Sequence, residues 1–319
     1  MTELSIMTSS NNINKLELED LQLTESLKKI TLHKLIAEKV NIAKMLQRDR
    51  RSEHIQVCGS MLQFLKERNL VSEEIRRRLV KGNFCKYRFC PMCQWRMARK
   101  VCREVLGRLR TINEAHNGVA LLFLTLTIKN EHITELKSTV KHLSQAFQRL
   151  QQSKQYKSAV YGSIRAIEFL GDNTEQGECH PHFHCLLVVP KSYFKSRDYI
   201  NFEEWTSLWQ RSLRVDYRPI INVQRVKPKG KMSAIVAAAL EVVKYSVTSS
   251  DLEKLSKEDF QELDRQTRNI RQYNYSGELK DVEPTFDDIE DENLWELLEE
   301  EYYHWSHGKY SKKEFNRTV

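Results

Sequence analysis

Residues 180–189 read HPHFHCLLVV: histidines on alternate positions 180, 182 and 184, then an unbroken apolar run. Alternate residues of a strand share one face. His182 and His184 therefore point the same way, with Phe183 and Cys185 opposite. Two imidazoles side by side on a rigid strand form half a metal site. Imidazole suits divalent transition metals, and an added carboxylate widens the choice to Mn²⁺ or Mg²⁺. The preceding apolar stretch, AVYGSIRAIEFL at 159–170, offers that carboxylate as Glu168, provided the two strands pair in a suitable register. The competing reading is one packed and one solvated histidine. Alternation along an otherwise apolar strand favours the metal.

Earlier in the chain, VALLFLTLTI (119–128) is a strand rich in apolar and β-branched residues. Residues 132–153 form a helix with Leu136, Val140, Leu143, Phe147 and Leu150 on one face. Segments 159–170 and 182–189 are joined by a Gly- and Asp-containing loop and read as a hairpin. A helix over 202–213 turns Trp205, Leu208 and Trp209 inward, INVQRV (221–226) is a further strand, and the alanines of 232–247 favour a helix. This order fits an α+β fold built on a mainly antiparallel sheet with helices on one face. Upstream, residues 21–80 read as helices, with Leu32, Leu35, Ile36, Val40 and Ala43 at helical spacing, and a basic helix follows near 94–112. Downstream, 250–319 reads as helical and highly charged. The expected division is 1–112, a helical and cysteine-rich segment; 113–252, the sheet domain; and 253–319, a charged helical region.

The net charge of +8 is unevenly spread. Residues 278–301 hold 12 acids and one lysine, or −11, which leaves the rest of the chain at +19. A basic body beside an acidic tail points to a polyanion partner, nucleic acid first. No run of about 18 apolar residues is present, and the N-terminus lacks the pattern of a signal peptide, so a cytoplasmic protein without membrane contact is expected. Seven cysteines, an odd number, argue against a disulfide framework in such a chain.

Three of those cysteines sit in CKYRFCPMC, where Cys85, Cys90 and Cys93 have C-x4-C-x2-C spacing and Pro91 tightens the turn. Thiolates at this spacing converge on a tetrahedral Zn²⁺. Cys58 is the expected fourth ligand, with His54 behind it. Buried cysteines can instead be small hydrophobes, but Pro91 and the flanking Lys86 and Arg88 oppose that reading. The helix that follows carries Arg96, Arg99, Lys100 and Arg103, which with Lys86 and Arg88 suit phosphate contacts. In ALEVVKYSVTSSD (239–251), Glu241 and Tyr245 are four apart and share a helical face. Lys244 is adjacent. A tyrosine near a metal-bound phosphate can act as a nucleophile, although one of 12 tyrosines would not by itself rise above a packing residue.

Taken in order, RFCPMCQWRMARK, FLTLT, HPHFH and EVVKYS resemble the rolling-circle initiators with the HUH endonuclease arrangement, and among these the type 1 replication proteins of small Gram-positive plasmids. The likeness covers roughly residues 55–252. It implies a five-stranded antiparallel core with the histidine pair on a central strand, and nicking of one strand at a plasmid origin. It assigns His182 and His184, helped by Glu168, to the divalent ion and Tyr245 to attack on the phosphate, giving a 5′-phosphotyrosine and a free 3′-OH. Glu241 would activate water for the second cut. Thr248 departs from the family, whose members often have lysine there, and leaves Lys244 as the neighbouring cation. The implied partners are origin DNA, duplex and single-stranded, with a host helicase and polymerase. A transposase or relaxase of the same superfamily would share the histidines and tyrosine but not the cysteine cluster. A non-catalytic zinc-containing DNA-binding regulator would leave the histidine strand unexplained.

Overall fold

The computed structural model describes residues 25–46, 50–71, 75–171, 174–243, 249–284 and 295–313. Helix α1 (Glu25–Val40) precedes strands β1 (Met61–Asn69) and β2 (Ile75–Gly82). Then come α2 (Pro91–Ala115), β3 (Val119–Leu126), α3 (Leu136–Gln152), β4 (Gly162–Glu168) and β5 (His182–Pro190). They are followed by α4 (Phe202–Leu213), β6 (Ile221–Arg225), α5 (Ala234–Val242), α6 (Lys257–Thr267), β7 (Tyr273–Gly277), β8 (Trp295–Ser306) and β9 (Lys309–Lys313). No helix among the described residues is long and apolar enough to cross a membrane.

Local chemistry sets several of these boundaries. Pro91 opens α2 at a position where its missing N–H is not needed. The helix ends at Asn117 and Gly118, both at positive φ, a turn in which glycine carries no Cβ penalty. The Asn113 side chain accepts from the Val119 N–H at 3.1 Å, tying the helix end to the start of β3. At α4 a capping box closes the first turn, with Asn201 Oδ1 accepting from the Glu204 N–H and the Glu204 carboxylate accepting from the Asn201 N–H.

A five-stranded sheet in the order β6-β3-β5-β4-β7 lies at the centre, with every neighbouring pair antiparallel. Its middle strand is β5, the histidine strand. Phe183, Cys185, Leu187 and Val189 face α3 and α4, where they join Leu143, Phe147, Trp205 and Trp209 in one core. Leu186 and Val188 face the other way, onto Val105 and Leu109 of α2 and Ala238 and Val242 of α5. Fully burying each large apolar side chain of β5 contributes about 1.5–3 kcal/mol. Helices thus cover both faces of the sheet, which corrects the expectation of one covered face. The continuous apolar run of β5 already carried the reason: a strand without polar residues on either side must be buried on both.

Two further expectations are overturned. Residues 61–82 are not helical, and neither is 295–313: β1, β2, β8 and β9 form a second antiparallel sheet in the order β9-β8-β1-β2. Leu62 and Phe64 alternate inward from β1, and Glu301, Tyr303 and Trp305 alternate inward from β8. That period of two outweighs the helix propensity of the Leu- and Glu-rich WELLEEEYYHWS. The sheet is laced by buried carboxylates. Glu67 takes Arg76 and Arg78, each at 2.8 Å, and Glu301 takes Arg77 at 2.7 Å and Lys312 at 3.2 Å. Both sheets draw on distant parts of the chain. β7 completes the edge of the central sheet, and β8 pairs with β1, so strand pairing runs across the positions 112 and 252.

Candidate functional site

Register assembles the first cluster. Glu168 of β4 stands directly opposite His182 of β5, and the next same-face row across the sheet runs Asn222, Thr125, His184, Ala166, Tyr273. His182 Nε2 lies 3.2 Å from Glu168 Oε2, and His184 Nε2 lies 3.2 Å from Glu168 Oε1. The two Nε2 atoms are 3.1 Å apart. His182 Nδ1 is 2.8 Å from the His180 carbonyl, which can only accept, so Nδ1 carries the proton and Nε2 offers its lone pair in the neutral ring. Three electron-rich atoms aimed at one point repel unless a proton or a cation sits among them. Two imidazoles and a carboxylate are a donor set for a divalent metal. Burial works to raise the Glu168 carboxyl, but when His182 and His184 carry protons on Nε2 their hydrogen bonds outweigh burial and hold the group down at about 2; a cation in place of those protons acts in the same direction.

Supporting groups surround these three. His184 Nδ1 lies 3.3 Å from the Thr125 hydroxyl, and the His184 ring sits beside Phe123 with centroids 5.7 Å apart. Both neighbours belong to FLTLT, a motif that drew attention in the sequence without revealing what its threonine touches. His180 is not in the cluster. Its Nδ1 meets Asn130 Oδ1 at 2.6 Å, and it serves His182 through its backbone carbonyl. Thr125→Val should weaken the affinity of this donor set for an added divalent ion about 10–100-fold, the usual loss when a ligand's outer partner is removed. Calorimetric titration reads this directly, and an unchanged affinity would mean that the strand alone orients His184.

Helix α5 packs on the face that carries the histidines, with Ala238, Ala239 and Val242 against Ile164, Leu186 and Val188. Ser233 caps its start by accepting from the Val236 N–H at 3.3 Å. Glu241 is exposed on this helix. Lys244, Tyr245 and Thr248 lie outside the described residues. The chain leaves α5 at Val243, whose carbonyl accepts from the Tyr273 hydroxyl at 3.3 Å. Tyr273 escaped the sequence reading because only the pairing of β7 with β4 brings it to this row.

The second cluster joins Cys58, Cys85, Cys90 and Cys93, whose sulfurs all lie within 4.8 Å of one another. The Cys58–Cys93, Cys85–Cys93 and Cys58–Cys90 separations are each 3.6 Å. That is far beyond the ~2.05 Å of a disulfide and close to the ~3.8 Å edge of a tetrahedron with Zn–S bonds of ~2.3 Å. Cys58 stands where the sequence reading put it, and His54 takes no part in the cluster. Cys90 caps α2 and Cys93 lies in its first turn, where the positive end of the helix favours thiolate. The Lys86 N–H donates to Cys93 Sγ at 3.2 Å, aimed by a left-handed φ of 59° at Lys86. Hydrogen bonds from the neighbouring thiols, Cys58 foremost, hold the Cys93 thiol well below its ordinary range.

Among the basic residues that the sequence offers for phosphate, Lys86, Arg96, Arg99, Lys100 and Arg103 are exposed. Arg88 is different. Its guanidinium turns inward and donates to the Thr267 and Ile270 carbonyls, placing a positive charge at the C-terminal end of α6. It is removed from the candidate phosphate contacts.

A metal-type donor set on an antiparallel sheet, a four-cysteine cluster apart from it and an exposed basic helix define a protein with two candidate metal centres and a cationic face. Comparison with known proteins narrows the class. The family model described as "Replication protein" matches residues 76–315. The protein called "Protein rep" of Bacillus amyloliquefaciens is 33% identical over 272 residues, covering 79% of this chain and 78% of its own. That of Lentilactobacillus hilgardii is 33% identical over 279 residues, covering 82% and 86%, and that of Streptococcus pneumoniae 34% over 233 residues, covering 72% and 70%. No solved structure matches. The chain belongs to the replication protein family, in agreement with the likeness to plasmid replication initiators carried by its motifs.

Proposed function

We propose that this replication protein starts rolling-circle replication by nicking one strand at a plasmid origin. The observation that carries the reading is the convergence of His182, His184 and Glu168 on the sheet face against which α5 packs. The segment that follows α5 contains Tyr245. A divalent ion held by the three ligands, Mn²⁺ or Mg²⁺, would neutralise the non-bridging oxygens of a phosphodiester. Tyr245, after loss of its phenolic proton, attacks phosphorus. The bond to O3′ breaks, the departing oxygen takes up a proton, and the 5′ end stays on the tyrosine. The free 3′-OH then primes a host polymerase, with a host helicase opening the duplex ahead. Lys244 is assigned to the anionic phosphate. Zn²⁺ at Cys58, Cys85, Cys90 and Cys93 has a structural role in this scheme, and Lys86, Arg96, Arg99, Lys100 and Arg103 make phosphate contacts.

Incubating the protein with single-stranded origin DNA and Mn²⁺ tests this reading, with a covalent adduct on Tyr245 as the expected product. Tyr245→Phe should bind DNA and form none. Mapping of the adduct to another tyrosine would overturn the assignment.

Initiators of this kind must cut twice, and Glu241 is assigned the second cut. Its carboxylate takes a proton from water, whose oxygen attacks phosphorus at the second site; the bond to O3′ breaks, the departing oxygen takes up a proton, and the resulting 3′-OH displaces Tyr245 from the first 5′ phosphate, so that no second protein–DNA bond forms. Glu241→Ala is expected to nick normally and to terminate about 10²–10⁴-fold more slowly, the usual loss of a general base. A substrate with two origin sites separates the steps. Termination at the wild-type rate would leave Glu241 as surface.

A further inference from the structure

Between the first turns of α2 and strand β2 runs an open groove of about 740 Å³. Arg76, Arg77 and Arg78 line it from the strand, the outer edge of the second sheet. Arg96, Arg99, Lys100 and Arg103 line it from the helix. Glu104 is the one acid among the described lining residues, and its carboxylate is 3.3 Å from Arg108. We propose that this groove, apart from the His182–His184–Glu168 cluster, binds the phosphodiester backbone of duplex DNA.

The cations are held in place before any ligand arrives. Buried Glu67 and Glu301 grip Arg76, Arg77 and Arg78 at 2.7–2.8 Å. On the helix, the Arg96 guanidinium lies 3.6 Å from the Phe84 ring centroid, and that of Arg99 lies 5.1 Å from the Trp95 ring centroid. A guanidinium laid on a ring keeps its full charge, and fixing it beforehand lowers the entropy lost on binding. The strand carboxylates offset part of the charge of the arginine triad, so the helix supplies most of the field.

The chemistry of the walls selects duplex over single strands. Single-strand sites combine a cationic track with aromatic faces on which bases stack. Here Phe84 is covered by Arg96, and Trp95 is buried and stacked on His33 at 5.2 Å. What remains is a track for phosphates. The groove occupies the first turns of α2, and Val105, Leu109 and Ile112 further along the same helix pack beneath the five-stranded sheet. The choice of DNA as the polyanion rests on the replication reading. The cationic groove itself does not.

The test measures binding of an origin duplex, an unrelated duplex of equal length and a single strand over a range of salt. The triple variant Arg96→Ala/Arg99→Ala/Lys100→Ala should bind both duplexes 10-fold or more weaker. Its salt slope should fall by about 2.7, at roughly 0.9 for each phosphate left without its cation. Lys100→Ala alone should lower the slope by about 0.9, which keeps the test open if the triple variant misfolds. Zinc content and melting temperature check the fold. An unchanged slope in properly folded variants would overturn the proposal, and so would a weakening confined to single strands. Adduct formation by the wild-type protein is scored separately, and its failure would count against the nicking reading alone.

Discussion

His182→Ala and His184→Ala will each abolish the tyrosyl–DNA adduct while duplex affinity stays near wild type. Each change removes one of the three candidate ligand atoms, and no other His, Cys, Asp or Glu among the described residues joins that group. Losing one electrostatic stabiliser of a transition state typically costs about 10²–10³ in rate, and losing the ion as well would deepen the effect. Duplex affinity should survive because it comes mainly from phosphate contacts elsewhere. His182 is buried against Glu168, so its removal also strips a partner from a buried carboxylate. Glu168→Gln serves as the companion variant, since it keeps the shape, removes the anion and should lose the same activity. Melting curves separate misfolding from loss of chemistry. Undiminished adduct in both histidine variants would end the assignment.

The second large effect is expected at the cysteines. Cys90→Ser and Cys58→Ser should each release the single zinc that elemental analysis is expected to find in the wild type, and should lower the melting temperature by roughly 8–16 °C. That range takes a loss of about 4 kcal/mol at 2–4 °C per kcal/mol, a modest fraction of the binding energy of a structural zinc. The damage should be cooperative because Cys58 precedes β1 while Cys90 and Cys93 start α2, so the cluster ties the second sheet to the helix that runs beneath the first. A wild-type protein that folds without zinc, with cysteine variants melting alongside it, would refute this.

Much of the candidate site was legible because its signals are local. The two-residue period of HPHFH puts His182 and His184 on one face whatever the rest of the chain does, and C-x4-C-x2-C before Pro91 brings three sulfurs together at a helix start. Glu168 could be named but not placed, because facing His182 depends on a hairpin register that a one-residue slip would reverse. Cys58 stood 27 residues before Cys85 and was chosen by need of a fourth ligand. Thr125 and Tyr273 were out of reach, since their places in the row beside His184 come from pairing with strands far along the chain.

The misread elements share one cause. β1 and β8 pair Met61 with His304 and Asn69 with Trp295, and no window of sequence contains both partners. Lacking a partner, WELLEEEYYHWS has the composition of a helix, and the arginine triad of β2 has no visible counterpart on α2. Which side chains of a strand or helix look the same way is set by backbone geometry within a few residues, and that much can be read along the chain. Tertiary structure decided the neighbours: that helices cover both sides of the histidine strand, that Arg88 turns inward, and that cations some 20 residues apart in the chain line one groove. Neighbours follow from burial and pairing summed over the whole chain, and no short segment carries that sum.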